Sequence, residues 1–190
     1  MKTGPIIGIV VVLALLLGSC EFVSTRNNLA REKEAISGQW SQVDADLQRR
    51  ADLVPNLVET VKGYAKEETS VVQEVANARA ALGGAQTPQQ KIDANTRLDG
   101  ALGRLLVVVE NYPNLKANEN FQQLQMELTD LENKIAASRR FFNNAVQEYN
   151  TGIQRFPAML FAGMLGFTEK QFFDLGSDRQ AVSEAPQVKF

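Results

Sequence analysis

Apolar residues in this chain recur in alternating steps of three and four, a spacing that admits little besides helices packed along a common seam. Ile36, Trp40, Val43 and Leu47 trace one stripe, with Gln42, Asp46, Arg49 and Arg50 lying off it. Leu57, Val61, Tyr64, Glu68, Val71, Val75, Ala78 and Leu82 trace a second, interrupted only by Glu68. A third runs through Leu98, Leu102, Leu105, Val109 and Tyr112. The longest follows Phe121, Leu124, Leu128, Leu131, Ile135, Ser138, Phe142, Ala145 and Tyr149, and continues toward Ile153 and Phe156. A helix with one apolar stripe must bury it against another. The pattern therefore predicts an all-α fold, an elongated antiparallel four-helix bundle over residues 25–156 with an N-terminal membrane anchor or signal segment.

The expected junctions have chemical signatures. Asp52-Leu53-Val54-Pro55 offers a capping carboxylate with a proline in the following turn, so one helix is expected to stop and another to start there. Gly83-Gly84 can supply a left-handed residue to end the second helix, and Thr87-Pro88-Gln89-Gln90 is a capping box with proline at its first position. Tyr112-Pro113-Asn114 closes the third helix, and Asn118 can cap the fourth.

Residues 1–20 are expected to be a signal or anchor segment. Lys2 precedes an apolar run from Ile6 to Leu17, short for a bilayer span of about 20 residues. Leu15-Leu16-Leu17-Gly18-Ser19-Cys20 resembles the lipobox of bacterial lipoproteins, in which Cys20 becomes a lipid-modified first residue and the bundle lies outside the cytoplasm. The alternative is a single-pass signal anchor, for which Arg26, Arg31 and Lys33 favour a cytoplasmic bundle. Either way the N-terminus meets membrane lipid.

The chemical inventory is sparse. The chain has no histidine and one cysteine, which removes histidine-based dyads, histidine-ligated zinc and any intramolecular disulfide. With 20 Lys+Arg against 22 Asp+Glu and no basic stripe, nucleic acid is not an expected partner. No cofactor, metal site or catalytic residue is expected.

The stretch from Trp40 to Glu68, together with Tyr112 to Thr151, resembles the LemA family. Asn27-Asn28-Leu29, Ala78-Arg79, Phe156-Pro157, Phe161-Ala162-Gly163 and Gly166-Phe167 extend the likeness over nearly all of the chain after Cys20. The resemblance implies an N-terminal membrane anchor and an antiparallel four-helix bundle, and it supplies no activity and no catalytic residues. Family members often carry a histidine near the position of Glu67, and this chain does not.

Several residues stand out against that background. Glu68 on a seam is costly to bury unpaired, and is expected at the seam's edge beside a lysine or arginine. Arg49, Arg50 and Asp52 read as a helix cap with solvated arginines, or as an anion-binding cluster. Asp44 and Asp46 are two apart and cannot jointly chelate a metal on a helix. Asn143, Asn144 and Asn150, beside Arg139 and Arg140, are expected to form a polar network that fixes register, or a partner-binding patch. The apolar segment 157–175 either caps the bundle or presents a hydrophobic surface to a partner or a lipid interface. Candidate partner-binding residues are Asn143, Asn144, Phe161, Met164 and Phe167, and Cys20 is the candidate lipidation site. Residues 176–190 are expected to be disordered. The functional expectation is an envelope interaction or scaffold module with a protein partner. The alternatives are an enzyme working with carboxylate, arginine and tyrosine groups on lipid or cell-wall material, and a homo-oligomeric spacer.

Overall fold

The computed structural model describes residues 3–65 and 67–173. The chain is all-α. Its elements are α1 (Thr3–Tyr64), α2 (Thr69–Gly84), α3 (Pro88–Val109), the single turn α4 (Pro113–Lys116), α5 (Glu119–Gln154) and a 3-10 turn at Ala158–Leu160. The expected tail, 176–190, lies outside the described residues. Among the described residues no helix is long and apolar enough to cross a membrane.

The first junction falls in a different place from the one expected. α1 runs without a break through Asp52 and Pro55, and ends at Tyr64. A proline inside a helix removes one N–H and orphans the carbonyl four residues earlier, at a cost of about 3 kcal/mol. Here that carbonyl belongs to Ala51, and Arg79 Nε on α2 donates to it at 2.9 Å. The foreign donor replaces the bond that proline cannot make. Ala51, Val54, Leu57, Val58 and Val61 are all buried, which adds packing on both sides of the proline. The break moves to 65–68, and Glu68 becomes the residue preceding α2.

The later junctions follow the sequence more closely. Thr87 and Gln90 form the reciprocal capping box, with Thr87 Oγ1 accepting from the Gln90 amide and Gln90 Oε1 accepting from the Thr87 amide, each at 3.2 Å. Asn118 Oδ1 accepts from the Phe121 amide at 3.0 Å and so caps α5. Neither Gly83 nor Gly84 takes the left-handed conformation, because α2 ends instead on an extended Ala85 whose N–H bonds to the Leu82 carbonyl.

The chain divides into two compact units, and α1 and α5 contribute to both. One comprises Gln42–Arg139 with Phe173–Phe190. Its apolar core draws Val54, Leu57 and Val61 from α1, Val75 and Leu82 from α2, Leu98 and Leu105 from α3, Leu115 from α4 and Phe121 from α5. The other comprises Met1–Ser41 with Arg140–Phe172. It buries Leu29 and Ile36 of α1 and Phe142, Val146, Tyr149 and Ile153 of α5, and Trp40 meets Phe142 edge-on at 5.5 Å. Within this unit a Cβ at Gly152 would lie 2.5 Å from Glu32 Oε2 and 3.3 Å from Leu29 Cδ2, so the absent side chain sets how closely α5 approaches α1. Phe156, expected to continue the fourth seam, is instead exposed beyond the end of α5.

Candidate functional site

Two places hold chemistry, one in each unit. In the unit built around Gln42–Arg139, Arg50 is buried at 6 % exposure. Its Nη1 faces Asn95 Oδ1 at 3.1 Å, Glu132 Oε2 at 3.0 Å and Asp99 Oδ1. Asn95 Nδ2 in turn donates to Asp99 Oδ2 at 3.1 Å. One nitrogen with two protons thus faces three acceptors, while Arg50 Nε has no hydrogen-bond partner. Burial raises the pKa of Asp99, Arg50 opposes that rise and Glu132 adds to it. Next along α1 the buried Asp46 accepts from Ser138 Oγ at 3.1 Å and from Gln42 Nε2 at 3.3 Å.

Beside Arg50, Asp99 and Glu132 opens a cleft of about 440 Å³ walled by Leu57, Leu102 and Leu128. An apolar cleft with a few convergent polar groups is the usual form of a small-molecule site. The carboxylates of Asp99 and Glu132 pair with the fixed cation of Arg50, and among the described residues no group of three or more His, Cys, Asp or Glu side chains can hold a metal ion. The arrangement can orient a ligand or fix the register of the helices that meet there.

The expectation of solvated arginines at 49 and 50 holds for Arg49, which is exposed and 4.0 Å from Asp46, and fails for Arg50. The failure follows from the misplaced helix end. Continued through Pro55 by the same steps, the first stripe becomes Val43, Leu47, Arg50, Val54, Leu57 and Val61, with Arg50 on it. Asp99 and Glu132 carried no sequence signal of their own, since each is one charge among many on a helix surface. Glu68 meets Tyr112, whose hydroxyl donates to its Oε1 at 3.4 Å. Asp44 pairs with Lys91.

The second place lies in the unit built around Met1–Ser41 and Arg140–Phe172. Asn150 grips the backbone of Lys170 from both sides, its Nδ2 donating to the Lys170 carbonyl at 2.9 Å and its Oδ1 accepting from the Lys170 amide at 2.8 Å. Tyr149 donates its hydroxyl to the Thr168 carbonyl at 3.0 Å, and Gln154 Nε2 donates to Glu169 at 2.7 Å. Burial raises the pKa of Glu32, and Glu148 adds to the rise. Asn150 therefore holds the C-terminal strap to α5; Asn143 is half-buried and Asn144 exposed. Phe161 and Phe167 are half-buried and Met164 is 83 % exposed. Cys20 is exposed.

A family model described as the LemA family matches residues 39–190. Magnetosome protein MamQ of Magnetospirillum gryphiswaldense is 24% identical over 188 residues, covering 85% of this chain and 69% of that protein. Magnetosome protein MamQ 2 of Paramagnetospirillum magneticum is 24% identical over 198 residues, covering 90% of this chain and 73% of that protein. Protein LemA of Metamycoplasma hominis is 24% identical over 136 residues, covering 71% of this chain and 62% of that protein.

Proposed function

Because the chain belongs to the LemA family, we propose that it is a membrane-tethered interaction module, a helical scaffold that positions a protein partner at the bacterial cell envelope. The observation that carries this reading is the N-terminal part of α1, where the exposed Cys20 is followed by exposed Phe22 and Val23 and preceded by exposed Leu13, Leu16 and Leu17, a leader that lipidation at Cys20 would remove. So many apolar side chains in one short stretch of surface call for a lipid or protein covering. Two relatives named for the magnetosome are consistent with a role at an envelope or compartment surface.

In this reading residues 42–139 work as an antiparallel four-helix bundle, supported by the three-residue link between α2 and α3 and by the core that all the helices share. Tethering is through a lipid on Cys20, supported by an apolar run of about a dozen residues where a span needs about 20. The experiment is flotation of the Cys20→Ser variant with cell membranes. Release of the chain, or loss of a lipid-modified N-terminal peptide by mass spectrometry, supports the lipid tether. Unchanged retention of the full-length chain favours a signal anchor.

The cleft at Arg50 favours a second reading, an enzyme using carboxylates on lipid or cell-wall material. Its weakness is that Arg50 already engages the inward oxygens of Asp99 and Glu132. An envelope defect in Asp99→Asn cells, with the purified variant as stable as the parent, would favour the enzyme over the scaffold.

A further inference from the structure

We propose that the apolar turn over residues 156–164 is a second membrane contact, a wedge that inserts into the lipid interface at the depth of Phe22. The proposal rests on the reading that the start of α1 is held at a lipid surface. It begins from a turn whose greasiest side chains point outward. Phe156 is 77 % exposed, Leu160 63 % and Met164 83 %, while the small Ala158 and Ala162 face inward. A segment built only to plug a core would bury the large side chains and expose the small ones.

Much of the backbone of the turn is bonded within it. The amides of Met159, Leu160, Phe161, Ala162 and Leu165 donate to carbonyls of Arg155, Pro157, Ala158 and Phe161, and the Phe167 amide returns to the Ala162 carbonyl at 3.0 Å. Gly166, at φ 75°, makes the reversal that permits that return.

Depth is set by one aromatic contact. The Phe161 ring lies 4.9 Å from the Phe22 ring, which ties the turn to α1 at that level. Phe22 is five residues beyond Leu17, the end of the apolar run, or about 7.5 Å along a helix. Measured outward from the run, that distance places Phe22 at the level of the headgroup layer, which is about 5–7 Å thick on each side of the hydrocarbon core. With a lipid on Cys20 instead, Phe22 is two residues from the acylated position and the same layer is reached. In both cases Phe22 and the turn are parts of one lipid-facing surface, and the strap pinned by Tyr149, Asn150 and Gln154 holds the turn's far end.

The test uses Met164→Trp in the full chain, reconstituted into vesicles of phosphatidylcholine and phosphatidylglycerol brominated near the carbonyl end of their acyl chains. Trp40 is the sole native tryptophan and lies 18 residues beyond Phe22, about 27 Å along α1, so it serves as an unquenched reference in the parent. The expected result is loss of most of the emission added by Met164→Trp, with the parent's emission unchanged. If the added emission survives while the chain still floats with the vesicles, the wedge is wrong and the tether stands. If the chain does not float, both fail. Protection of position 164 by a second copy, seen as Met164→Cys crosslinks in a Cys20→Ser chain together with unquenched emission, also overturns the lipid contact.

Discussion

Two carboxyls, Asp99 and Glu32, are held above the ordinary carboxylate range by burial, one in each unit. A group whose folded pKa exceeds its unfolded value contributes stability that is fully present below the unfolded pKa and is lost as pH rises through the folded pKa. Acidification from neutral pH toward the ordinary carboxylate range near about pH 4 should therefore raise the melting temperature of the parent relative to the Asp99→Asn/Glu32→Gln double variant, as read by calorimetry. A difference that stays flat over that window would mean that neither carboxyl is strained by its surroundings. Sequence could not reveal these shifts, because they come from burial in the fold and from like charges 33 and 116 residues distant, Glu132 for Asp99 and Glu148 for Glu32. Arg50 itself was legible in principle, through the stripe that continues across Pro55.

The helices as elements were largely written in the chain. Both real caps, Thr87 with Gln90 and Asn118, use local side chains within three residues of the amide they satisfy, which is why spacing alone finds them. The Pro55 junction misleads because its compensation is not local: the donor to the Ala51 carbonyl comes from Arg79, 28 residues away. This makes a clean test. Arg79→Met keeps the aliphatic stem and removes the donor, and should cost about 1–3 kcal/mol in chemical denaturation. Pro55→Ala restores an amide that can take the Ala51 carbonyl. In that background Arg79→Met should cost much less, giving a coupling energy of about 1 kcal/mol or more across the cycle. Strict additivity of the two substitutions would remove Arg79 from the explanation of why α1 survives its proline.

At the scale of the molecule, the buried hydrophobic residues among those described lie between Leu29 and Phe173. Leu13, Leu16 and Leu17 near the start of α1 are exposed, which is the physical ground for giving them a lipid rather than a core. Removing residues 1–20 should leave amide exchange at Val61, Leu98 and Leu105 unchanged, while abolishing flotation with membranes. Slower or faster exchange there would show that the leader contributes to folding after all. The all-α class was legible from periodicity alone; the division into two units was not, because α1 and α5 carry their stripes across the boundary between the units without any change of composition. The clasp at Asn150 has its own consequence for how this chain can vary. It touches only main-chain atoms of residue 170, so natural drift may rewrite that side chain freely, and an imino acid is the one replacement the clasp forbids. Lys170→Ala should be silent in limited proteolysis, whereas Lys170→Pro should open the strap at residues 168–170 to cleavage ahead of the helices.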